Sequence, residues 1–321
     1  MGQRVWALGL VAAALIACGG DGESSTTSSG GAGSTSSSSG GASAGAGGTA
    51  ASGGMASTGG AGGAGGLGQG GAGGETGFPW DDALDPNGTP SSSRLTAREK
   101  NTTPAGQGFW EYLPSGYPGG AKWSLLVALH GVGENGNGTN ELTKLLNTGI
   151  PKLINQDNWP LDRPFVVLMP QHEGGGCPGA GEIQAFIDYG IQTYEIDPRY
   201  VYLTGLSCGA IGSWGYLQQN LDSQIAAFVP IAGNGTGAWN NAGCDLAKVG
   251  IWAFHGDADG TVDVSGTNTP MDGLATCPSP PALETKKTIY PGVGHNSWDR
   301  TYDLSEGHDI YTWMLGFTHT P

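Results

Sequence analysis

Short apolar runs alternate with stretches of helical spacing through most of this chain. Trp123 to Leu129, Phe165 to Met169, Tyr200 to Thr204, Ile225 to Ile231 and Val249 to His255 have strand length and lack the in-and-out alternation of a half-exposed sheet. Such runs predict strands buried on both faces. Thr285 to Tyr290 predicts a further strand, and Gly108 to Leu113 (GFWEYL) alternates as an edge strand would. Helical spacing predicts one helix from an Asn140 cap to about Gln156, kinked or split by Pro151. Others are predicted over Glu182 to Tyr194, from Cys208 onward, over about Val264 to Ala275, and over Ser305 to Phe317. Residues 78 to 103, rich in Pro, Ser and Asp, read as an extended lead-in. The Gly/Asn-rich segment holding Trp239 and Cys244 reads as a loop. Strands alternating with helices predict an α/β fold, a mainly parallel sheet with helices on both faces. Ligands in such sheets bind beyond the C-terminal ends of the strands.

The ends of the chain have a different character. Arg4 precedes an apolar stretch from Val5 to Ala17 that is too short to span a bilayer, and the stretch ends in Leu15-Ile16-Ala17-Cys18. This is similar to the lipobox of bacterial lipoprotein signal peptides. That resemblance implies cleavage before Cys18 and lipidation of that cysteine, with export to the periplasm or cell surface. Membrane contact is then expected only through the N-terminal lipid. From Gly19 to Gly77 the chain is almost entirely Gly, Ser, Ala and Thr. So little apolar surface cannot offset ordering entropy, so a disordered tether is expected, with a reach of roughly 40 Å. The organisation expected is therefore a signal over 1–18, a linker over 19–77 and a single folded domain over 78–321.

Charge narrows the partners. The net charge is −15, with no Lys/Arg run, which argues against nucleic acid. Besides Cys18 the cysteines are Cys177, Cys208, Cys244 and Cys277, an even number that suggests two disulfides in an exported protein. Of three connectivities, Cys208 with Cys244 and Cys177 with Cys277 is the expected one. No zinc spacing is evident, and no metal or cofactor is expected.

Candidate chemistry centres on Tyr200 to Tyr216 (YVYLTGLSCGAIGSWGY), which reads as strand, sharp turn and helix. At the turn Gly205-Leu206-Ser207-Cys208-Gly209 forms G-x-S-x-G, whose glycines remove side chains that would collide around a strained serine. Gly41-Ala42-Ser43-Ala44-Gly45 also fits the pattern but lacks a flanking strand and helix, so the flanks carry the signal. Ser207 is thus the candidate nucleophile. A serine hydroxyl needs a base, and the base an orienting acid. His295, in the Gly-rich loop after the last strand, is the candidate base, and His172, at another strand end, is its rival. His130 and His255 sit in or at the tip of strands and read as structural. The segment His255-Gly256-Asp257-Ala258-Asp259-Gly260-Thr261-Val262-Asp263 offers three acids. Asp259 is best placed, Asp257 suits the turn and Asp263 suits a helix cap. For a developing oxyanion, the backbone N–H groups of Cys208 and Val132 are the candidates. Glu134 reads as a brace for its glycine-rich loop. His172, Trp298 and Trp239 are candidates for a substrate pocket, and Trp214 is a further aromatic of the same kind.

The segments LHGVGENG, GLSCGA, HGDADGTV and GVGHNSW, in that order, resemble the α/β-hydrolase fold. Within it they are similar to secreted serine esterases of the phospholipase/carboxylesterase, feruloyl esterase and polyhydroxyalkanoate depolymerase group. The resemblance covers roughly Gly108 to Thr318. It implies Ser207 as nucleophile, Asp259 as acid, His295 as base, and an ester hydrolase working through an acyl-enzyme. Cys208 departs from the small residue or Met more usual after the serine. No stretch between Leu221 and Lys248 is long enough for a large lid, which suits soluble or polymer-linked esters handled by a monomer. A peptidase of the oligopeptidase type and an inactive surface binding module are the competing expectations.

Overall fold

A computed structural model of the chain describes residues 77–278 and 283–320. The signal segment, the Cys18 lipidation site and the linker up to residue 76 lie outside the described residues. The strands are β1 (Leu95–Arg98), β2 (Phe109–Tyr112), β3 (Trp123–Leu129), β4 (Phe165–Pro170), β5 (Ile196–Leu206), β6 (Ala227–Ile231), β7 (Gly250–Gly256) and β8 (Thr285–Tyr290). They form one sheet in the order β1-β2-β4-β3-β5-β6-β7-β8. The β1/β2 and β2/β4 pairs are antiparallel, and the pairs from β4 through β8 are parallel.

Burial follows from the two-residue period of a strand. On β3, Trp123, Leu125, Val127 and Leu129 enter one core, and Leu126 and Ala128 enter the other. Helices α2 (Ala180–Thr193), α3 (Cys208–Gln219) and α5 (Ser265–Leu274) close the first core with Ile183, Phe186, Trp214, Leu217, Met271 and Leu274. Helices α1 (Gly149–Asn155), α6 (Trp298–Tyr302) and α7 (Ile310–Leu315) close the second with Ile150, Ile154, Tyr302, Ile310 and Met314. Each large apolar side chain taken fully out of water contributes about 1.5–3 kcal/mol. A sheet wedged between two such layers is therefore a rigid platform for whatever its strand ends carry.

Several expectations change. The lead-in contains β1, which takes the sheet edge, so β2 is an internal strand between β1 and β4. The helix expected from Asn140 is a 3₁₀ turn over Leu142–Asn147 followed by α1. The break falls at Gly149, whose φ is +58°, and Pro151 lies in the first turn of α1, where its missing N–H costs nothing. The Gly/Asn-rich segment after β6 is not a loop but α4 (Thr236–Ala242) and a 3₁₀ turn over Gly243–Lys248. Packing of α4 on α3 and α5 overrides the weak helix propensity of its glycines and asparagines. The segment lies in that seam and forms no large lid.

The disulfides also differ from the expected pairing. They join Cys177 with Cys208 and Cys244 with Cys277. Cys177 precedes α2, which packs on α3, and this crossover lays the 177–179 loop against the first turn of α3. A Cβ added at Gly212 there would stand 2.5 Å from the Pro178 carbonyl oxygen. Cys244, in the 3₁₀ turn that packs on α5, meets Cys277 just beyond the end of that helix. The bridge at the elbow thus comes from Cys177, not Cys244.

Candidate active site

Ser207 is the single residue between the end of β5 and the start of α3, with φ +51° and ψ −117°. A non-glycine residue in that region costs on the order of 1–3 kcal/mol and persists only where its surroundings enforce it. They do so here. A Cβ on Gly205 would lie 2.6 Å from the Gly209 carbonyl carbon, and one on Gly209 would lie 2.5 Å from the Leu129 carbonyl oxygen. The Ser207 N–H donates to the Ile231 carbonyl at 2.8 Å, tying the turn to β6. The turn is as tight as G-x-S-x-G implies, and it lifts the hydroxyl to the C-terminal end of the sheet.

The loop after β8 brings His295 to this hydroxyl. His295 Nε2 stands 2.9 Å from Ser207 Oγ, and its Nδ1 stands 2.7 Å from Asp259 Oδ2. The three residues, far apart in sequence, form one hydrogen-bonded chain. The carboxylate accepts at both ring-facing and backbone-facing oxygens, since Asp259 Oδ1 also takes the N–H groups of Thr261 (2.8 Å) and Val262 (3.0 Å). Burial pushes the Asp259 carboxyl up. The His295 hydrogen bond and the N–H groups of Val262 and Thr261 outweigh it and hold the pKa below the ordinary carboxylate range. The Asp259 side chain is 0% exposed and that of His295 22%. The acid therefore acts in a low-dielectric interior, and the base reaches the surface that a substrate meets.

The other two aspartates have different tasks. Asp257 accepts the Gly292 N–H at 2.6 Å, and Ala258 N–H donates to Val293 at 3.0 Å, so this turn clasps the loop that carries His295. Asp263 accepts the Ser265 N–H at 2.8 Å at the head of α5. His172, the rival base, bonds Glu182 through Nδ1 at 2.8 Å, and its N–H donates to His130 Nε2 at 2.9 Å; it makes no hydrogen bond to Ser207. His130 Nδ1 in turn donates to the Gly131 carbonyl at 2.6 Å, so His130 braces the loop after β3.

Burial lowers the His130 pKa to about 4, below the ordinary value of 6.5. Between these values the unfolded chain binds a proton that the folded chain refuses, so stability falls as pH falls from 6.5 towards 4 and changes no further below that. The difference corresponds to about 3 kcal/mol. Urea denaturation at pH 7 and pH 4 should therefore show His130→Gln losing about 3 kcal/mol less than wild type on acidification. Equal losses would rule out this role.

Around the nucleophile, donors are free for an anion. Cys208 opens α3, so its N–H has no partner within the helix. In the facing loop, Gly131 lies against Ser207, 3.6 Å from a built Cβ to the serine Cβ. The Glu134 N–H donates to the Gly131 carbonyl at 3.2 Å, and burial raises the pKa of the Glu134 carboxyl. The Val132 N–H donates to no acceptor among the described residues, and Val132 is exposed. Both expected donors are thus without an acceptor among the described residues, and Glu134 ties its loop through its backbone N–H.

The candidate pocket residues separate. Trp298 is partly buried against the second core and meets His295 edge-on with centroids 5.1 Å apart. Trp239 instead packs on Gly273 in the α4–α5 seam, where a Cβ on that glycine would lie 2.3 Å from the indole. Trp214 is core, edge-on to Phe228 at 5.1 Å. His172 is held by Glu182 in a partly buried position. One contact was not foreseen. His255, read as structural, touches Asp259 directly, with Nε2 3.0 Å from Oδ2. The four-residue spacing of His255 and Asp259 across a strand-end turn was its only trace in the sequence.

No protein-family model matches the chain. It is 25% identical over 239 residues to endo-1,4-beta-xylanase Y of Acetivibrio thermocellus, a match covering 65% of this chain and 20% of the relative. The chain thus spans about a fifth of the length of that curated relative. Among solved structures it resembles a thermostable esterase, with 22% identity and a TM-score of 0.51 over 70% of this chain and 62% of that one. It also resembles a serine mutant of the feruloyl esterase module from Clostridium thermocellum complexed with sinapinate. There the identity is 20% and the TM-score 0.52, over 74% of this chain and 92% of that one. Dipeptidyl peptidase 4 of Porphyromonas gingivalis is similar at 12% identity and a TM-score of 0.50, over 70% of this chain and 35% of that one. The chain has the α/β-hydrolase fold.

Proposed function

We propose that this protein is a serine carboxylic-ester hydrolase that works through an acyl-enzyme. The observation that carries the reading is the single imidazole of His295, in contact with Ser207 Oγ at 2.9 Å and Asp259 Oδ2 at 2.7 Å. With Nδ1–H donating to Asp259, Nε2 is left as the acceptor for the serine proton. Ser207 Oγ attacks the ester carbonyl carbon as its proton passes to His295 Nε2. The carbonyl oxygen becomes an oxyanion, met by the N–H groups of Cys208 and Val132. Collapse breaks the carbon–oxygen bond to the alcohol, which leaves with the proton from Nε2. Water then repeats the sequence on the acyl-serine, freeing the acid and restoring the hydroxyl. Every group needed lies on a strand end or the turn beside it.

The substrate reading is an acyl ester, soluble or linked to a polysaccharide. It draws on the names of the xylanase and feruloyl esterase relatives, on the absence of a large lid between β6 and β7, and on Trp298 beside His295. An aromatic acyl group or a sugar ring could stack on that indole. The peptidase reading draws on the likeness to dipeptidyl peptidase 4, but the chain spans only 35% of that protein. A complete hydrogen-bonded triad weighs against an inactive binding module. The test is a panel with purified protein: p-nitrophenyl acetate, longer acyl esters, methyl ferulate, acetylated xylan and a dipeptide amide, with a fluorophosphonate probe alongside. Ester turnover with the probe attached at Ser207 is the expected result. Amide cleavage without ester cleavage would move the reading to a peptidase, and a protein inert to probe and panel would end it.

A further inference from the structure

His255 stands at the end of β7, wholly buried, and no step of the acyl transfer uses it. Its Nε2 faces two acceptors, Asp259 Oδ2 at 3.0 Å and the Val262 carbonyl oxygen at 2.9 Å. Nε2 therefore carries a proton and donates it to both. Its Nδ1 stands 2.8 Å from the hydroxyl of Thr267, a buried residue of α5. The ring is thus fixed from the strand side by its backbone and from the helix side by Thr267.

The same contact looks different from the carboxylate. An ionised carboxylate has about four acceptor positions. In Asp259 four donors fill them: Thr261 N–H and Val262 N–H at Oδ1, His295 Nδ1–H and His255 Nε2–H at Oδ2. The two backbone donors anchor one oxygen but leave the other free to rock about it. His255 removes that freedom, because it reaches Oδ2 from β7 while His295 reaches it from the loop after β8.

Resting on the acyl-transfer reading above, we infer that His255 is a positioning residue for the triad. Its Nε2–H holds Asp259 Oδ2 where His295 Nδ1–H must find it, and draws off part of the negative charge there. Two consequences follow from removing this donor. The carboxylate loosens, and a displacement of about 1 Å in a reacting array costs on the order of 10²-fold in rate. The charge left on Oδ2 also grows, which favours the imidazolium of His295. The acidic limb of the kcat/KM profile then moves to higher pH. The ionisable groups around Asp259 are His255 from β7, His295 from the loop after β8 and Asp263 from the head of α5, while Asp257 is tied to Gly292. The two other aspartates are common to wild type and variants, so their fields cancel in the comparison.

The experiment uses the full chain with p-nitrophenyl acetate, with rates expressed per mole of folded protein. His255→Leu is expected to lower kcat by about 10- to 100-fold with KM nearly unchanged, and to shift the acidic limb upward. His255→Gln, which returns an N–H near the position of Nε2, is expected to recover most of the rate and the wild-type limb. Thr267→Val keeps the ring but loses its anchor, and a smaller fall in kcat is expected. Wild-type kcat and limb in His255→Leu would overturn the inference, as would a glutamine variant no better than leucine. Should His255→Leu fail to fold, Thr267→Val decides, and an unchanged kcat there overturns it. Ser207→Ala serves as the control: an active Ser207→Ala withdraws the acyl-transfer reading itself, whereas an inactive one beside an unaffected His255→Leu overturns only the role of His255.

Discussion

Replacing Ser207 by alanine is expected to lower kcat on p-nitrophenyl acetate by about 10⁴-fold or more. Among the described residues only the Ser207 hydroxyl hydrogen-bonds His295 Nε2, at 2.9 Å, and alanine leaves the base with nothing to deprotonate but water. The N–H groups of Cys208 and Val132 would still bind an oxyanion, so a residual rate above that of free solution should persist. KM should change little, because a methyl group in place of a hydroxymethyl group leaves the mouth of the site intact. Ser207→Gly should lose activity equally but gain stability. With φ at +51°, the serine occupies backbone space that glycine enters without penalty, and relief on the order of 1 kcal/mol is expected. Thermal unfolding of the two variants separates these effects. A glycine variant less stable than wild type would mean that the elbow is not strained, and an active alanine variant would remove Ser207 from the chemistry.

How legible this site was in the sequence varied with the kind of information each part needs. Strands β3 and β8 begin and end where the sequence predicts, and β4 differs by one residue. A strand buried on both faces must be apolar at every position, and that is a local signal. The elbow was legible for a similar reason, since Gly205 and Gly209 are demanded by contacts within a few residues of Ser207. The choice among Asp257, Asp259 and Asp263 needed only the offset from the strand end. By contrast, β1 (LTAR) is half-exposed at a sheet edge and carries no apolar run. Helix α4 forms in glycines and asparagines because α3 and α5 give it surfaces to pack on, which no local propensity encodes. The disulfides were misread because their partners depend on how the α2 crossover lies over α3. The contact of His255 with Asp259 is not legible, since a buried histidine before glycine gives no sign of which atom it faces. Information confined to a turn of chain was readable, and information that depended on which helix covers which strand was not.

Asp259→Asn is expected to cost about 10⁴-fold in kcat while the protein remains folded. The asparagine amide has one accepting and one donating end. Its oxygen is claimed by the backbone N–H groups of Thr261 and Val262, which stand 2.8 and 3.0 Å from Asp259 Oδ1 and cannot move without the turn. The NH₂ end must then occupy the place of Oδ2 and point at His295 Nδ1, 2.7 Å away. A donor now faces a donor. His295 resolves the conflict by shifting its proton to Nε2, and that nitrogen then donates to Ser207 Oγ where it had accepted from it. The ring keeps its place but ceases to be a base. His255 sharpens the effect, because its Nε2–H also loses an acceptor at Oδ2 and keeps only the Val262 carbonyl. If this tautomer argument holds, the double variant Ser207→Ala/Asp259→Asn should be no slower than either single one, since both remove the same proton transfer. Losses that multiply in the double variant would mean that Asp259 acts separately from the serine, and the three side chains would then not form one relay.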